Sequence, residues 1–298
     1  MDLHIKVSVC CITYNHAGFI KDCLNSFLMQ KTNFAFEILI HDDASTDGTE
    51  QIIREYEAKY PNLIKPLYEV ENQWKKGRKG SSVFNFPRAK GKYIALCEGD
   101  DYWTDPHKLQ KQVDFLETNP DYSMCFHSAA LLDMDNIGRA GLYHNIQSKE
   151  YFIQQIYRDW IVPTASVVFR RDALTNKYFN RILNPDFVFG DTLLFMSLAE
   201  VGRIHAFKEQ MSVYRIHTLG VTQNPHLHNA IKWLKHHESI LKEFNKDCAQ
   251  DAKYKISELS FKIALRKLKQ YEFDSIYYGI KSFSYSPKIF FLNLKSLF

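Results

Sequence analysis

Apolar and polar positions fall into alternating blocks from the first residues onward. Val7-Ser8-Val9-Cys10-Cys11-Ile12 is a β-rich apolar run that ends in the polar turn Thr13-Tyr14-Asn15-His16. From Ala17 to Gln30, Phe19, Ile20, Cys23, Leu24, Phe27 and Leu28 recur at helical spacing, which predicts a helix with one apolar face. A second strand, Glu37 to His41, runs into the polar segment Asp42 to Thr49, and the helix that follows stops at Pro61. The chain therefore opens β-α-β-α.

The same alternation continues. A short strand spans Leu63 to Tyr68, a polar and basic stretch covers Glu71 to Lys90, and an apolar run from Lys92 to Cys97 reads as a strand. A helix from His107 to Glu117 ends before Asn119-Pro120, followed by a strand from Tyr122 to His127. Residues 133 to 149 read as irregular, Tyr151 to Trp160 as helical and Ala165 to Phe169 as a strand. Phe187 to Thr192 reads as a strand-to-helix junction opening an apolar helix through Glu200, and Val213 to His217 as a short strand. Alternating strands and helices imply right-handed crossovers and a mainly parallel sheet flanked by helices, with ligands outside the carboxyl ends of the strands. Neither a Gly-x-Gly-x-x-Gly turn nor a Walker-type Gly-Lys-Ser/Thr loop follows the first strand, which disfavours a dehydrogenase-type dinucleotide site.

Composition narrows the class. Hydrophobic residues make up 45% and charged residues 24% of 298 positions, ordinary for a soluble globular chain. A net charge of +4 is too small to make nucleic acid the main partner. No apolar run approaches the roughly 20 residues of a membrane-spanning helix, and Met1 to Lys6 lacks a signal-peptide core, so a cytoplasmic location is expected. The six cysteines contain no Cys-x-x-Cys pair and read as reduced core thiols.

The densest chemistry lies in EGDDYWTDPHKL, where Glu98, Asp100 and Asp101 fall within four residues at a strand end. Carboxylates so crowded repel one another unless a cation sits among them. Mg²⁺ or Mn²⁺ bridged to a nucleotide diphosphate suits such oxygen ligands, and a solvated acidic turn is the plain alternative. Asp191, at the start of a predicted helix, reads either as an N-cap or as a functional carboxylate. Of the cations between 71 and 90 (Lys75, Lys76, Arg78, Lys79 and Arg88), one or two could reach a diphosphate, or all could belong to a solvated loop.

These motifs resemble family 2 glycosyltransferases, most densely over 5 to 50 and 88 to 118. The resemblance implies a GT-A fold, Rossmann-like, over 1–224, with a helical C-terminal extension over 225–298. It implies an Asp-Xaa-Asp metal motif whose first position is Glu98 here, so Glu98, Asp100 and Asp101 would hold the ion, with His217 of the Tyr-Arg-Ile-His run beside them. It further implies Asp191 as catalytic base and Thr13, Tyr14, Asn15, Asp43 and Asp100 around the nucleotide. The reaction implied is inverting transfer of a sugar from a nucleotide-diphosphate donor, UDP-sugar first, to a saccharide or lipid-linked saccharide in surface polysaccharide or capsule synthesis. A non-catalytic sugar-nucleotide-binding pseudoenzyme and a nucleotidyltransferase are the competing readings.

The tail has its own character. From His226 to Phe298 there are 13 Lys or Arg against 7 Asp or Glu, and Ser275 to Phe298 holds aromatics and lysines with no acidic side chain. That pattern suits peripheral contact with an anionic membrane surface, or packing on the main domain or on a second subunit of a homodimer.

Overall fold

The computed structural model describes residues 5–78, 80–135, 138, 141–218 and 227–296. It divides into two compact units, Met1–Ile182 with Gly190–Thr218, and Leu183–Phe189 with Leu219–Phe298. The boundary expected at 224/225 lies outside the described residues.

The first unit begins with β1 (Ile5–Thr13), α1 (Ile20–Leu28), β2 (Ala35–Asp42), α2 (Thr49–Lys59), β3 (Ile64–Tyr68) and α3 (Gly80–Phe84). It continues with β4 (Tyr93–Leu96), β5 (Tyr102–Trp103), α4 (Lys108–Thr118), β6 (Tyr122–Asp133), β7 (Gly141–Leu142), β8 (Lys149–Tyr151) and α5 (Ile153–Asp159). The last elements are β9 (Val168–Arg170), α6 (Asn176–Ile182), α7 (Gly190–Val201) and β10 (Arg203–Ile216). The sheet order is β3-β2-β1-β4-β9-β6-β10-β5, with β7 on β6 and β8 on β10.

The long pairings, β3 with β2, β2 with β1, β1 with β4 and β6 with β10, are parallel. The short ones, involving β5, β7, β8 and β9, are antiparallel, so the sheet is more mixed than the sequence pattern suggested. β9 has a consequence for the site. It runs against both β4 and β6, and two reversals restore direction, so β6 and β10 run the same way as β1 and β4. The carboxyl ends of β1, β2, β4 and β10 therefore lie on one edge.

The strands that build this edge are held by burial on both faces. Val7, Val9 and Cys11 pack with Ile38, Ile40 and Ala95, while Ile20, Cys23, Leu24 and Phe27 of α1 cover one side. Near-continuous apolar runs are what a strand with helices on both faces requires. All six cysteines are free and buried, as expected.

Three local expectations change. The strand seen in sequence as Val213 to His217 is the end of the 14-residue β10, whose polar middle, Lys208-Glu209-Gln210, hid its length. The segment expected as a strand from Ala165 is a 3-10 turn, Thr164–Ser166, before the short β9. No strand precedes Asp191, since residues 187–189 have no regular structure and Asp191 lies in the first turn of α7.

The second unit contains α8 (Leu227–Glu243), α9 (Asn245–Lys269), α10 (Asp274–Tyr285) and α11 (Pro287–Lys295). Leu234, Ile256 and Ile263 form its core, with Leu259, Tyr278 and Tyr285 packed around them.

Candidate active site

Hydrogen bonds tie two loops together at the carboxyl edge. The backbone N–H of Asn15 donates to Ser45 Oγ (2.9 Å), and Asn15 Oδ1 accepts the Thr46 N–H (2.8 Å). Ser45 in turn donates to Asp42 Oδ1 (2.6 Å). Asp47 reaches across as well, its Oδ2 accepting the Ala17 N–H (2.9 Å) and its Oδ1 the Thr49 N–H (3.0 Å) at the head of α2. Burial pushes the Asp47 pKa up, but the Thr49 hydroxyl, donating to Oδ1 (2.6 Å), and then these backbone amides hold it below the usual aspartate value. Asn15 and Ala44 adopt positive φ, as polar strand exits with tight turns often do.

Asp43 is buried, and its carboxylate accepts the N–H groups of Gln73 (2.6 Å) and Trp74 (3.1 Å). It thus ties β2 to the 71–78 segment, a partner the sequence did not reveal. Two further lone-pair positions remain on that carboxylate. Thr13, expected to line the nucleotide pocket, is buried beneath Gly99, whereas Tyr14 is exposed and Asn15 partly so.

The acidic turn follows β4 directly. A Cβ on Gly99 would come within 2.7 Å of Thr13 Oγ1 and 2.8 Å of Thr13 Cβ, so glycine lets this turn lie flat against the end of β1. Asp100 faces two imidazoles, with Oδ2 3.1 Å from His217 Nε2 and 3.7 Å from His16 Nε2. His16, which sequence reasoning passed over, stands immediately after Asn15 in the same polar turn. Burial lowers its pKa, against the pull of Asp100.

Asp101 behaves differently. It is buried, with Oδ1 accepting the backbone N–H of Arg215 (2.9 Å), and burial followed by the charges of Asp100 and Glu98 raises its pKa well above the usual range. It was expected among the metal ligands; in the structure its Oδ1 joins the acidic turn to β10. Arg215 completes the clamp, donating from Nη1 to the Asp100 carbonyl (2.9 Å) and pairing with Asp22. Its guanidinium lies over the rings of Tyr102 (4.4 Å) and Phe19 (5.3 Å).

Glu98 is partly buried, and its pKa is pushed up to about 8 by burial, then by the negative charges of Asp100 and Asp191. Asp191 is therefore electrostatically within reach of the acidic turn. Its Oδ1 accepts the Thr192 N–H (2.7 Å), and the protein around the carboxylate raises its pKa although the residue keeps solvent access. Tyr143 shares this field: burial raises its pKa first, then Asp191, Glu98 and Asp101. Nothing in the sequence marked Tyr143, since it lies in a stretch read as irregular.

Among the described residues, no three His, Cys, Asp or Glu side chains converge closely enough to hold a metal ion by themselves. The donor chemistry nonetheless fits a hard or borderline divalent ion: Asp100 and Glu98 offer oxygens, His217 offers a nitrogen, and phosphate oxygens would complete the shell. Of the basic residues between 71 and 90, Arg88 is committed elsewhere, donating to the carbonyls of Lys65 and Ile40 (2.8 Å each). Arg78 lies over Phe84 and Lys76 pairs with Glu71; Lys79 is outside the described residues. Trp103, just after the acidic turn, is core: its Nε1 donates to the Ala165 carbonyl (2.8 Å).

A curled α/β sheet with polar strand exits and an acidic turn on one edge defines the GT-A class. A crystal structure of S. aureus TarS 1-349 in complex with UDP superposes with a TM-score of 0.62 at 18% identity, covering 96% of this chain and 82% of that one. The mannosyltransferase PcManGT from Pyrobaculum calidifontis, in complex with GDP-Man and Mn²⁺, gives 0.53 at 16% identity, covering 81% and 66%. At such identities these likenesses establish the fold alone. Residues 8–176 match the family described as Glycosyl transferase family 2, and the chain belongs to that family. The uncharacterized protein Rv1520 of Mycobacterium tuberculosis is 34% identical over 215 residues, 72% of this chain. The chain spans about 60% of the length of that relative.

Proposed function

We propose that this chain is an inverting glycosyltransferase that transfers one sugar from a nucleoside-diphosphate donor, a UDP-sugar by first choice, to a hydroxyl of a saccharide or lipid-linked saccharide in surface-polysaccharide synthesis. The observation that carries the reading is the meeting of Asp100 with His16 and His217, from three separate strand exits, inside the electrostatic reach of Asp191 through Glu98.

Asp43 is the group for the nucleobase. Two of its lone-pair positions remain beyond the Gln73 and Trp74 amides, and a uracil N–H facing a carboxylate is a matched pair. Tyr14 and Asn15 flank the base and ribose, while Thr13 supports the turn from below. The diphosphate lies over Asp100 and His217. A Mn²⁺ or Mg²⁺ ion held by Asp100, Glu98 and His217 would supply Lewis-acid stabilisation of the leaving group.

Asp191 takes the proton of the acceptor hydroxyl as that oxygen attacks the anomeric carbon. The new carbon–oxygen bond forms on the face opposite the diphosphate, the old one breaks, and its electron pair leaves with the nucleoside diphosphate. A single displacement inverts the anomeric centre. The raised pKa of Asp191 suits a base that must hold that proton in the transition state.

The test is Asp191→Asn, assayed against a panel of nucleotide sugars and by calorimetric titration of UDP. Loss of transfer by a factor of about 10² to 10⁴ with UDP affinity intact is expected of a lost general base. Full transfer in the variant removes the assignment, and absence of UDP binding to the parent chain with or without Mn²⁺ removes the donor reading.

A further inference from the structure

α8 and α9 bury an apolar core, but α10 buries a serine, Ser282, and exposes large apolar side chains. α10 meets α9 through serines: Ser257 Oγ donates to the Ser282 carbonyl (2.8 Å) and Ser282 Oγ to the Ser257 carbonyl (2.7 Å), both residues fully buried. On α10, Ile276 and Ile280 are each 65% exposed, and Phe283, a further turn on, is 45% exposed. Phe291 of α11, 52% exposed, continues the surface at 5.9 Å between ring centroids from Phe283, with Leu292 beside it. In water, a two-helix surface is expected to carry the opposite polarity, with apolar stripes inward. Close helix contacts through hydroxyl-bearing small residues, with apolar side chains outward, suit an apolar surrounding.

Charge selects what that surrounding is. Among the described residues of α10 and α11, Asp274 is the only acidic side chain, and it is drawn to the buried Lys267. Lys288 and Lys295 of α11 have no carboxylate partner among the described residues. Pairing this face with a second copy of itself would bring lysines together with no countercharge. Length decides the mode of contact: α10 has 12 residues, about 18 Å, against a hydrocarbon core of about 30 Å. Among the described residues no helix is long and apolar enough to cross a membrane.

We propose that α10 and α11 form an interfacial membrane anchor, lying in the plane of a bilayer that carries anionic headgroups, with Ile276, Ile280 and Phe291 among the acyl chains and Lys288 and Lys295 at the phosphates. This inference stands apart from the transfer reaction, because none of these residues belongs to the nucleotide or acidic site.

The test is co-sedimentation of the full chain with phosphatidylcholine vesicles and with vesicles that also contain phosphatidylglycerol, alongside light scattering without lipid. The parent chain should bind the anionic vesicles, release with rising salt, and remain monomeric without lipid. The triple variant Ile276→Ser, Ile280→Ser, Phe291→Ser should lose at least tenfold in binding, and Lys288→Gln with Lys295→Gln about fivefold per lysine. Circular dichroism melting keeps the comparison to folded proteins, and UDP titration should be the same in all forms. A parent chain that ignores both vesicle types, binds neutral and anionic vesicles alike, or forms a dimer dissolved by the same serine substitutions would overturn the proposal.

Discussion

The backbone N–H of Arg215 donates to Asp101 Oδ1 at 2.9 Å, joining two strand exits 114 residues apart in sequence. Through this bond, and through Nη1 to the Asp100 carbonyl, β10 fixes the acidic turn from behind while the Asp100 carboxylate faces His217 and His16. Arg215→Lys keeps the charge but loses the planar fork that serves Asp100 and Asp22 together. The variant is expected to lose about 2 to 4 kcal/mol of stability in urea unfolding and at least tenfold in UDP affinity measured with Mn²⁺. Asp22→Ala, which removes only the exposed partner, should cost less than about 1 kcal/mol.

Asp100 and Asp101 stand side by side in sequence and in different chemistry. Chelation of divalent ions should abolish the thermal stabilisation that UDP gives the parent chain, and added Mn²⁺ should restore it. Asp100→Asn should weaken the Mn²⁺ response with little change in melting temperature. Asp101→Asn should lower the melting temperature by several degrees while retaining the Mn²⁺ response in the folded fraction. Equal behaviour of the two variants would contradict the division of roles.

Gly99 has no room for a methyl group against Thr13. Gly99→Ala should cost about 1 to 3 kcal/mol, the range for overpacking a filled site. Adding Thr13→Ala removes the nearer of the two Thr13 contacts, Oγ1, and keeps Cβ, so the double variant should recover part of that loss in a double-mutant cycle. Strict additivity would show that the contact does not govern the turn.

Lys108 is fully buried, with Nζ donating to Gln112 Oε1 (2.8 Å) and lying 4.2 Å from the Trp103 ring centre. Burial lowers its pKa to about 7 from an unfolded value of 10.5. Between those values the unfolded chain binds a proton that the folded chain lacks, so stability should rise with pH from about 7 toward 10.5, by at most about 1.4 kcal/mol per pH unit. Below pH 7 the full cost of burying the charge is present. Lys108→Met should flatten that rising limb in urea titrations at pH 7 and pH 9.5, and an unchanged limb would assign it to another group.

The sequence carried the first unit's framework legibly because strand and helix periods are local. Val7 to Ile12, Ile38 to Ile40 and Tyr93 to Leu96 are apolar runs that only a strand covered on both faces tolerates, and each ends in polar residues that mark the exit. β10 escaped because exposed polar residues at 208–210 interrupt its pattern where the strand pairs irregularly with β6. The family motifs named Asp100, Asp191 and His217 as chemistry, since residue type and order are one-dimensional facts.

Tertiary structure alone decided what each of those groups faces. Whether a carboxylate faces solvent or an amide depends on which distant backbone lies behind it: Asp101 meets Arg215, Asp43 meets Gln73 and Trp74, and Asp100 is left to two imidazoles. His16 and Tyr143 entered the site through folding, having no signature of their own. In the tail the composition was visible from the start, but the exposed apolar face of α10 and α11 was not, because which face of a helix is buried is settled by the neighbour that packs against it.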